Sequence, residues 1–168
     1  GVDMAHPALP RVVGADFTNT PGSPAGSPNG SVGPDAHGTM VAGVIAGILG
    51  NIGIGIAPSV TILSARIAEN YLQNGDFSFQ ASWFVSAIYW GESQGARVTN
   101  CSNILPLSIG SLTAAYTDTR GNNQFTTLSS TYGSTREADM VHFACTGNQG
   151  QSTIAYPASA EGVNAVGG

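Results

Sequence analysis

The amino-acid sequence predicts an α/β fold in which a parallel sheet is flanked by helices on both faces. Three observations predict it. Short β-branched segments alternate along the chain with segments of helical periodicity, glycines follow the helical segments, and polar residues directly follow two of the strands. Alternation of strand and helix gives parallel strands joined by right-handed crossovers. Ligands of such sheets bind at the carboxyl ends of the strands.

The first half of the chain contains two predicted strands and one predicted helix. Residues 12–17 are predicted to form the first strand, and residues 60–67, which alternate and are β-branched, the second. Between them, residues 18–34 are rich in Gly, Pro, Ser and Asn and are predicted to be a surface loop. A helix of small and aliphatic residues is predicted from His37 to about residues 49–50, where a glycine permits a C-terminal cap.

The second half begins with a predicted amphipathic helix. Residues 79–94 carry apolar residues at helical spacing, and Gly95 stands where a helix should end. The buried stripe is predicted to consist of Phe84, Ala87, Ile88 and Gly91. The remaining predicted elements are a strand at residues 96–102, a helix at residues 112–121 and a strand at residues 140–146.

Composition limits the classes of protein to which the chain can belong. With 168 residues, 42% of them hydrophobic, it is long enough for one domain with a substantial core. Only 9% of residues are charged, there is no lysine, and the net charge is -5. A nucleic-acid or anionic-membrane partner is therefore disfavoured, because both need a basic patch. Residues 38–65 carry no charge, but they are rich in Gly and Ala and are broken by Pro58, which disfavours a membrane span.

His37 heads the predicted apolar helix in the run His-Gly-Thr-Met-Val-Ala-Gly. A helix of this composition should be buried on most of its surface, so packing should fix the ring. Histidine suits proton transfer near neutral pH, which makes His37 a candidate catalytic base. Taken alone, the motif is also compatible with a histidine that merely begins a core helix.

Four segments occur together with the His-Gly-Thr motif. They are Gly-Val-Asp-Met-Ala-His-Pro-Ala-Leu at residues 1–9, Phe-Ala-Cys-Thr-Gly-Asn-Gln-Gly at 143–150, Ile-Ala-Tyr-Pro-Ala-Ser at 154–159 and Val-Asn-Ala-Val-Gly-Gly at 163–168. In this order and spacing, nearly the whole chain resembles the subtilisin-like serine peptidases, the subtilases. The resemblance implies a subtilisin-like fold that is incomplete at both ends, protein or peptide substrates, and a secreted or extracytoplasmic location. It indicates no oligomeric state.

The resemblance also assigns roles to individual residues. It implies that His37 is the general base of a Ser-His-Asp triad and that Asn148 is the side-chain donor of the oxyanion hole. Substrate would bind along two segments, which are Ser102, Asn103 and Ile104, and Cys145, Thr146 and Gly147. Ile104 departs from the family pattern, because it replaces a glycine that lets substrate backbone approach.

Two triad members of the family find no match in the chain. The aspartate would lie two residues before Gly1, and the serine would lie beyond Gly168, so the chain is expected to be an internal fragment of a catalytic domain. Asp3 matches a non-catalytic position, and neither Ser102 nor Ser108 matches the nucleophile. The alternative interpretation is a non-catalytic, subtilase-like binding or scaffold domain.

The remaining expectations concern cofactors and single residues. No cofactor is expected: Ala8 stands where the family supplies a calcium carboxylate, and the histidines, including His6 and His37 with Asp35, lack metal-ligand spacing. His6 and His142 are expected to be structural. Two further expectations are that Cys101 and Cys145 are two buried free thiols rather than a disulfide, and that the Tyr156-Pro157 bond is cis, as in the family.

Overall fold

The computed structural model describes residues 1–18, 36–70, 77–105, 108–120, 140–150 and 152–167. The chain forms two compact units, Gly1–Ala87 and Ile88–Gly168. The predicted surface loop at residues 18–34 lies outside the described residues except for its first residue, Thr18. Thr18 is buried, and its hydroxyl donates to Asp16 Oδ1 at 2.7 Å, so the predicted loop begins with a residue that caps the preceding strand.

The described residues of the first unit contain one parallel strand pair, two short antiparallel strand pairs, one complete helix and the first part of a second helix. Their bounds are β1 (Val12–Asp16), α1 (His37–Ala46), β2 (Ile48–Leu49), β3 (Ile52–Gly53), β4 (Ile62–Arg66), β5 (Glu69–Asn70) and β6 (Phe77–Ser78). Both predicted strands are confirmed, and β1 pairs with β4 in parallel. The pair ends in an ion pair, in which Arg66 Nη1 lies 2.8 Å from Asp16 Oδ2.

The prediction that the helix extends to residues 49–50 is wrong. The helix α1 ends at Ala46, and β2 forms an antiparallel hairpin with β3. Gly50 has a φ of +60° in the two-residue turn, so this glycine serves the hairpin rather than a helix cap. The aliphatic composition does not change between helix and hairpin, which is why periodicity could not separate them.

The core of the first unit lies between the chain start and α1. Val2, Leu9 and Ala42 form a buried cluster, against which Val12 of β1 and Ile62 of β4 pack. The amphipathic helix predicted at residues 79–94 is confirmed as α2 (Ala81–Ser93). All four residues of its predicted stripe are buried, and Gly95 follows with a φ of +78°.

The second unit contains a three-stranded parallel sheet in the order β7 (Val98–Cys101), β8 (Val141–Cys145) and β9 (Val163–Val166). The helix α3 (Gly110–Thr119) packs on one face of this sheet through contacts from its last turns to β8. On the other face, Phe143 and its cross-strand neighbours Asn100 and Asn164 are exposed. The predicted α/β class with parallel strands is confirmed. No helix within the described ranges is long and apolar enough to cross a membrane.

Candidate active site

His37 is the first residue of α1, and its side chain is exposed. The expectation that packing covers most of this helix is wrong for the described residues. Met40 is 63% and Val44 69% exposed, whereas Ala42 and Ala46 are buried. The helix therefore packs through its small residues, and it leaves the stripe that contains His37 and Met40 accessible.

The start of the chain lies directly against the first turn of α1. A Cβ on Gly38 would collide with the carbonyl oxygen of Gly1, so only glycine fits there without a shift. Two hydroxyls hold the same segment: the Asp3 amide donates to Thr39 Oγ1 at 2.9 Å, and the Val2 amide donates to Ser64 Oγ at 3.1 Å. The backbone at Gly1 is therefore fixed against Gly38, the residue that directly follows His37.

The structure brings the two predicted substrate segments to one edge of the second sheet. Residues 102–104 follow β7, and residues 146–148 follow β8, its parallel neighbour. Thr146 is held from both sides: its amide donates to the Val166 carbonyl at 2.9 Å, and its carbonyl accepts the Ala155 amide at 3.2 Å. The segment before Asn148 is thus hydrogen-bonded to β9 and to Ala155.

Asn148 follows a glycine whose backbone other residues adopt only with strain. Gly147 has a φ of +102°, and the Asn148 amide donates to Gln149 Oε1 at 3.0 Å. Because Gln149 accepts the Asn148 backbone amide, its side chain stabilises the turn. The Asn148 side chain is exposed, and it is available to a group outside the chain.

The segment that follows β7 is also held in place. Asn100 Nδ2 donates to Ser102 Oγ at 3.0 Å, and the Leu105 amide donates to the Tyr156 carbonyl at 2.8 Å in an antiparallel bridge. Between these contacts, Ile104 is 40% exposed. A side chain therefore projects where the family pattern has a glycine. The Tyr156-Pro157 bond is cis, as predicted.

Cys101 and Cys145 are free, and the sheet register explains why. Cys101 pairs with Ala144, so the next residue, Cys145, projects to the opposite face. The prediction of free thiols is confirmed, but only Cys101 is buried, whereas Cys145 is half-buried. Burial raises the pKa of the Cys101 thiol to about 11, which leaves that sulfur inert near neutral pH.

Sequence reasoning missed three residues that position the candidate site: Thr39 and Ser64 at the chain start, and Gln149 beside Asn148. Ser64 had a signal in the sequence, because it is a hydroxyl residue among the aliphatic residues of the predicted strand at residues 60–67. The structure buries it and gives its hydroxyl the Val2 amide as a partner. In the described part of the chain, no three His, Cys, Asp or Glu side chains are grouped so that they could hold a metal. Asp35, weighed as a ligand beside His6 and His37, lies outside the described residues.

The sequence model of the subtilase family matches residues 1–168. The chain belongs to the subtilase family. Subtilisin E of Bacillus subtilis is 29% identical over 172 residues, which cover 99% of this subtilase chain and 38% of that protein. Subtilisin of Bacillus pumilus is also 29% identical, and the alignment covers 99% of this chain and 53% of that protein.

Solved structures agree with the family assignment at the level of the fold. A mutant of the protease domain of PatA matches with a TM-score of 0.67 and 24% identity, over 98% of this subtilase chain and 53% of that one. Sphericase matches with a TM-score of 0.65 and 23% identity, over 98% and 49%. The chain thus spans about half or less of the length of these relatives. The resemblance read from the sequence is confirmed, and so is the subtilisin-like α/β fold.

Proposed function

We propose that the chain is part of the catalytic domain of a secreted, subtilisin-like serine endopeptidase. The observation that carries this proposal is the match to the subtilase family over residues 1–168. Both candidate catalytic side chains, His37 and Asn148, are exposed in the structure. Exposure is required of catalytic groups, because they must contact the substrate. The endopeptidase would cleave peptide bonds through an acyl-enzyme, with the triad aspartate and serine supplied by flanking sequence.

His37 is the proposed general base, and its position relative to Gly1 supports this role. The backbone of residues 1–3 is fixed against the first turn of α1 by Gly38, Thr39 and Ser64. A carboxylate two residues before Gly1 would therefore approach the histidine that it must orient. A carboxylate in that place selects the imidazole tautomer and stabilises the imidazolium as the base takes a proton.

Asn148 is the proposed oxyanion donor. Its side chain follows the Gly147 turn at the carboxyl end of β8, with its own backbone amide engaged by Gln149. This arrangement fixes the backbone while the side-chain amide stays exposed. A single donor of this kind contributes roughly 3–4 kcal/mol of transition-state stabilisation, because it is aimed where the negative charge develops.

Substrate is proposed to lie along residues 102–104 and 145–147, the two segments that the sheet brings to one edge. Asn103 and Ile104 are exposed, and we propose that this segment pairs with an extended peptide as an added strand. The Ile104 side chain would narrow the space next to that strand. We therefore propose that the enzyme accepts extended peptide whose backbone stands further from this segment than in relatives that carry glycine.

The test uses the longer protein with its flanking sequence, if that sequence contains the Asp-Thr/Ser-Gly and Gly-Thr-Ser motifs. We expect His37→Ala to lower kcat by about 10⁴-fold or more and Asn148→Ala to lower it by about 10²–10³-fold. Matched controls are His6→Ala and Asn51→Ala, which replace exposed residues of the same types. Full activity of either catalytic variant, or an equal loss in its control, would refute the assigned role.

The second candidate function is a non-catalytic peptide-binding or scaffold domain. It is favoured by one observation, the exposed Ile104 in the place of the family glycine. Flanking sequence without the aspartate or serine motif would select this candidate. The endopeptidase proposal would then be wrong. Fluorescence anisotropy would measure the binding of unstructured peptide to the unchanged chain and to Ile104→Gly, and the comparison would show whether the segment still accepts a strand.

A further inference from the structure

His142 occupies the centre of the second unit and has no part in the proposed catalysis. It lies within β8, is 0% exposed, and contacts two other elements. Its Nδ1 lies 2.8 Å from Thr99 Oγ1 on β7, and its Nε2 lies 3.0 Å from Thr119 Oγ1 on α3. The Tyr116 ring meets the imidazole edge-on, with the ring centroids 4.9 Å apart. One side chain therefore joins two strands and a helix.

The hydrogen bonds select one tautomer of this ring. The Thr119 hydroxyl donates its only hydrogen to the Ala115 carbonyl at 2.7 Å, so it must accept from Nε2-H of His142. In the neutral ring, Nδ1 then carries a lone pair and accepts the hydroxyl hydrogen of Thr99. Every polar atom of the neutral imidazole is satisfied. A second ring proton would turn the Thr99 hydroxyl from donor to acceptor and would place a positive charge on a ring that is 0% exposed.

Among the residues that the structure describes, no charged side chain contacts the ring to compensate a proton on it. The titratable side chains on the elements packed against His142 are Cys101 of β7 and Tyr116 and Asp118 of α3. Burial raises the pKa of Cys101 and of Tyr116. Cys101 and Tyr116 are therefore uncharged near neutral pH. Opposite His142, β9 presents Val163. In the same described region, Asp118 is exposed, and Arg120 pairs with Glu161 at 3.3 Å on the surface.

We propose that His142 is an acid-sensitive latch, which fastens α3 to β7 and β8 when the ring is neutral and releases the helix when the ring takes up a proton. The proton is taken from solvent onto Nδ1, the Thr99 hydroxyl turns from donor to acceptor, and the buried imidazolium is left without a compensating charge among the described residues. Because β8 continues directly into residues 146–148, release of α3 also loosens the turn that carries Asn148. That last consequence for activity rests on the proposed function, but the latch itself does not.

The direction of the pH effect follows from the burial of the ring. Burial lowers the pKa of His142 from 6.5 to about 4 in the folded chain. Between these values the unfolded chain binds the proton and the folded chain does not. The stability that the neutral ring contributes is therefore fully present above pH 6.5 and is lost as the pH falls towards 4. The unfolding equilibrium constant should rise by about a hundredfold over that interval from this group alone.

The test is urea unfolding of the 168-residue chain between pH 4 and pH 8, followed by circular dichroism. Three proteins are compared: the unchanged chain, His142→Gln and the matched control His6→Gln, which replaces an exposed histidine. We expect the hundredfold rise in the unchanged chain and in the control, and its disappearance in His142→Gln. The same pH dependence in all three proteins would overturn the proposal for His142. This result is independent of the peptidase assays that test the proposed function.

Nitrogen-15 NMR of the histidine ring gives an independent readout if His142→Gln does not fold. The unchanged chain should show Nε2-H, and the ring should not titrate near pH 6.5. Thr119→Val removes the acceptor and should move the proton to Nδ1, where Thr99 can accept it, whereas Thr119→Ser should retain Nε2-H. A ring that titrates at pH 6.5 in the folded chain, or a tautomer that is the same in both Thr119 variants, would also overturn the proposal.

Discussion

Replacement of Gly38 by alanine perturbs the contact that fixes the chain start beside His37. A Cβ at position 38 collides with the Gly1 carbonyl, so residues 1–3 must move away from α1. Gly43 lies on the same helix, and a Cβ there meets nothing within 4 Å. The pair Gly38→Ala and Gly43→Ala therefore makes the same chemical change in one helix, with and without the collision.

The magnitude follows from the contacts that the displaced segment makes. Two amide-to-hydroxyl hydrogen bonds, to Thr39 and Ser64, contribute about 1 kcal/mol each. Burial of Val2, which is 7% exposed, contributes about 2 kcal/mol. In either variant, replacing glycine by alanine within the helix stabilises the folded chain by about 1 kcal/mol through helix propensity. Gly38→Ala should therefore destabilise the chain by about 3 kcal/mol, and Gly43→Ala should stabilise it by about 1 kcal/mol.

The assay is equilibrium urea unfolding of the two variants beside the unchanged chain, with the slope of the transition checked for constancy. The expected difference between the variants is about 4 kcal/mol, which is far larger than the error of such a measurement. Equal stabilities for Gly38→Ala and Gly43→Ala would show that residues 1–3 are not fixed against α1. The structural support for a carboxylate that approaches His37 would then be lost.

Three further predictions concern the second unit. Leu112 is 0% exposed, so Leu112→Ala should lower the free energy of unfolding by about 2–5 kcal/mol, and a loss below 1 kcal/mol in urea titration would contradict its burial. Half-buried Cys145 should react with a disulfide reagent in the folded chain, whereas Cys101 should react only after urea is added; equal rates would show that Cys101 is accessible. The Tyr156 hydroxyl donates to the Ile109 carbonyl at 2.9 Å, so Tyr156→Phe should destabilise by about 1–2 kcal/mol, and no change in the thermal midpoint would count against that bond.

Local patterns in the sequence were sufficient for the elements whose signals are local. The stripe of α2 and the helix stop at Gly95 were read correctly, because helical spacing and a positive φ depend on neighbouring residues alone. The same holds for β7 and β8, whose alternation with helices predicted parallel pairing. Parallel pairing then placed the residues after both strands at one edge of the sheet, which is where the structure has them.

Features that depend on contacts between distant residues could not be read in this way. The start of α3 at Gly110 has no side-chain cap that would mark it in the sequence. The hairpin at Gly50 lies within one continuous aliphatic run, so no change of composition marks it either. The contact of Gly1 with Gly38 and the two threonine partners of His142 likewise join segments far apart in sequence. For His142, only the expectation of a structural role was available, and its three-element contact required the folded chain.

Parallel pairing also has a consequence for the order in which the chain folds. His142 and Asn164, which join β8 to β9, are 22 positions apart, Thr99 and His142 are 43 apart, and Asp16 and Arg66 of the first unit are 50 apart. Closing a longer loop costs more chain entropy, and sheets built from distant segments form slowly. The β8–β9 pair should therefore form before β7 joins it. The strand that carries Asn148 at its end is thus the expected nucleus of its own sheet.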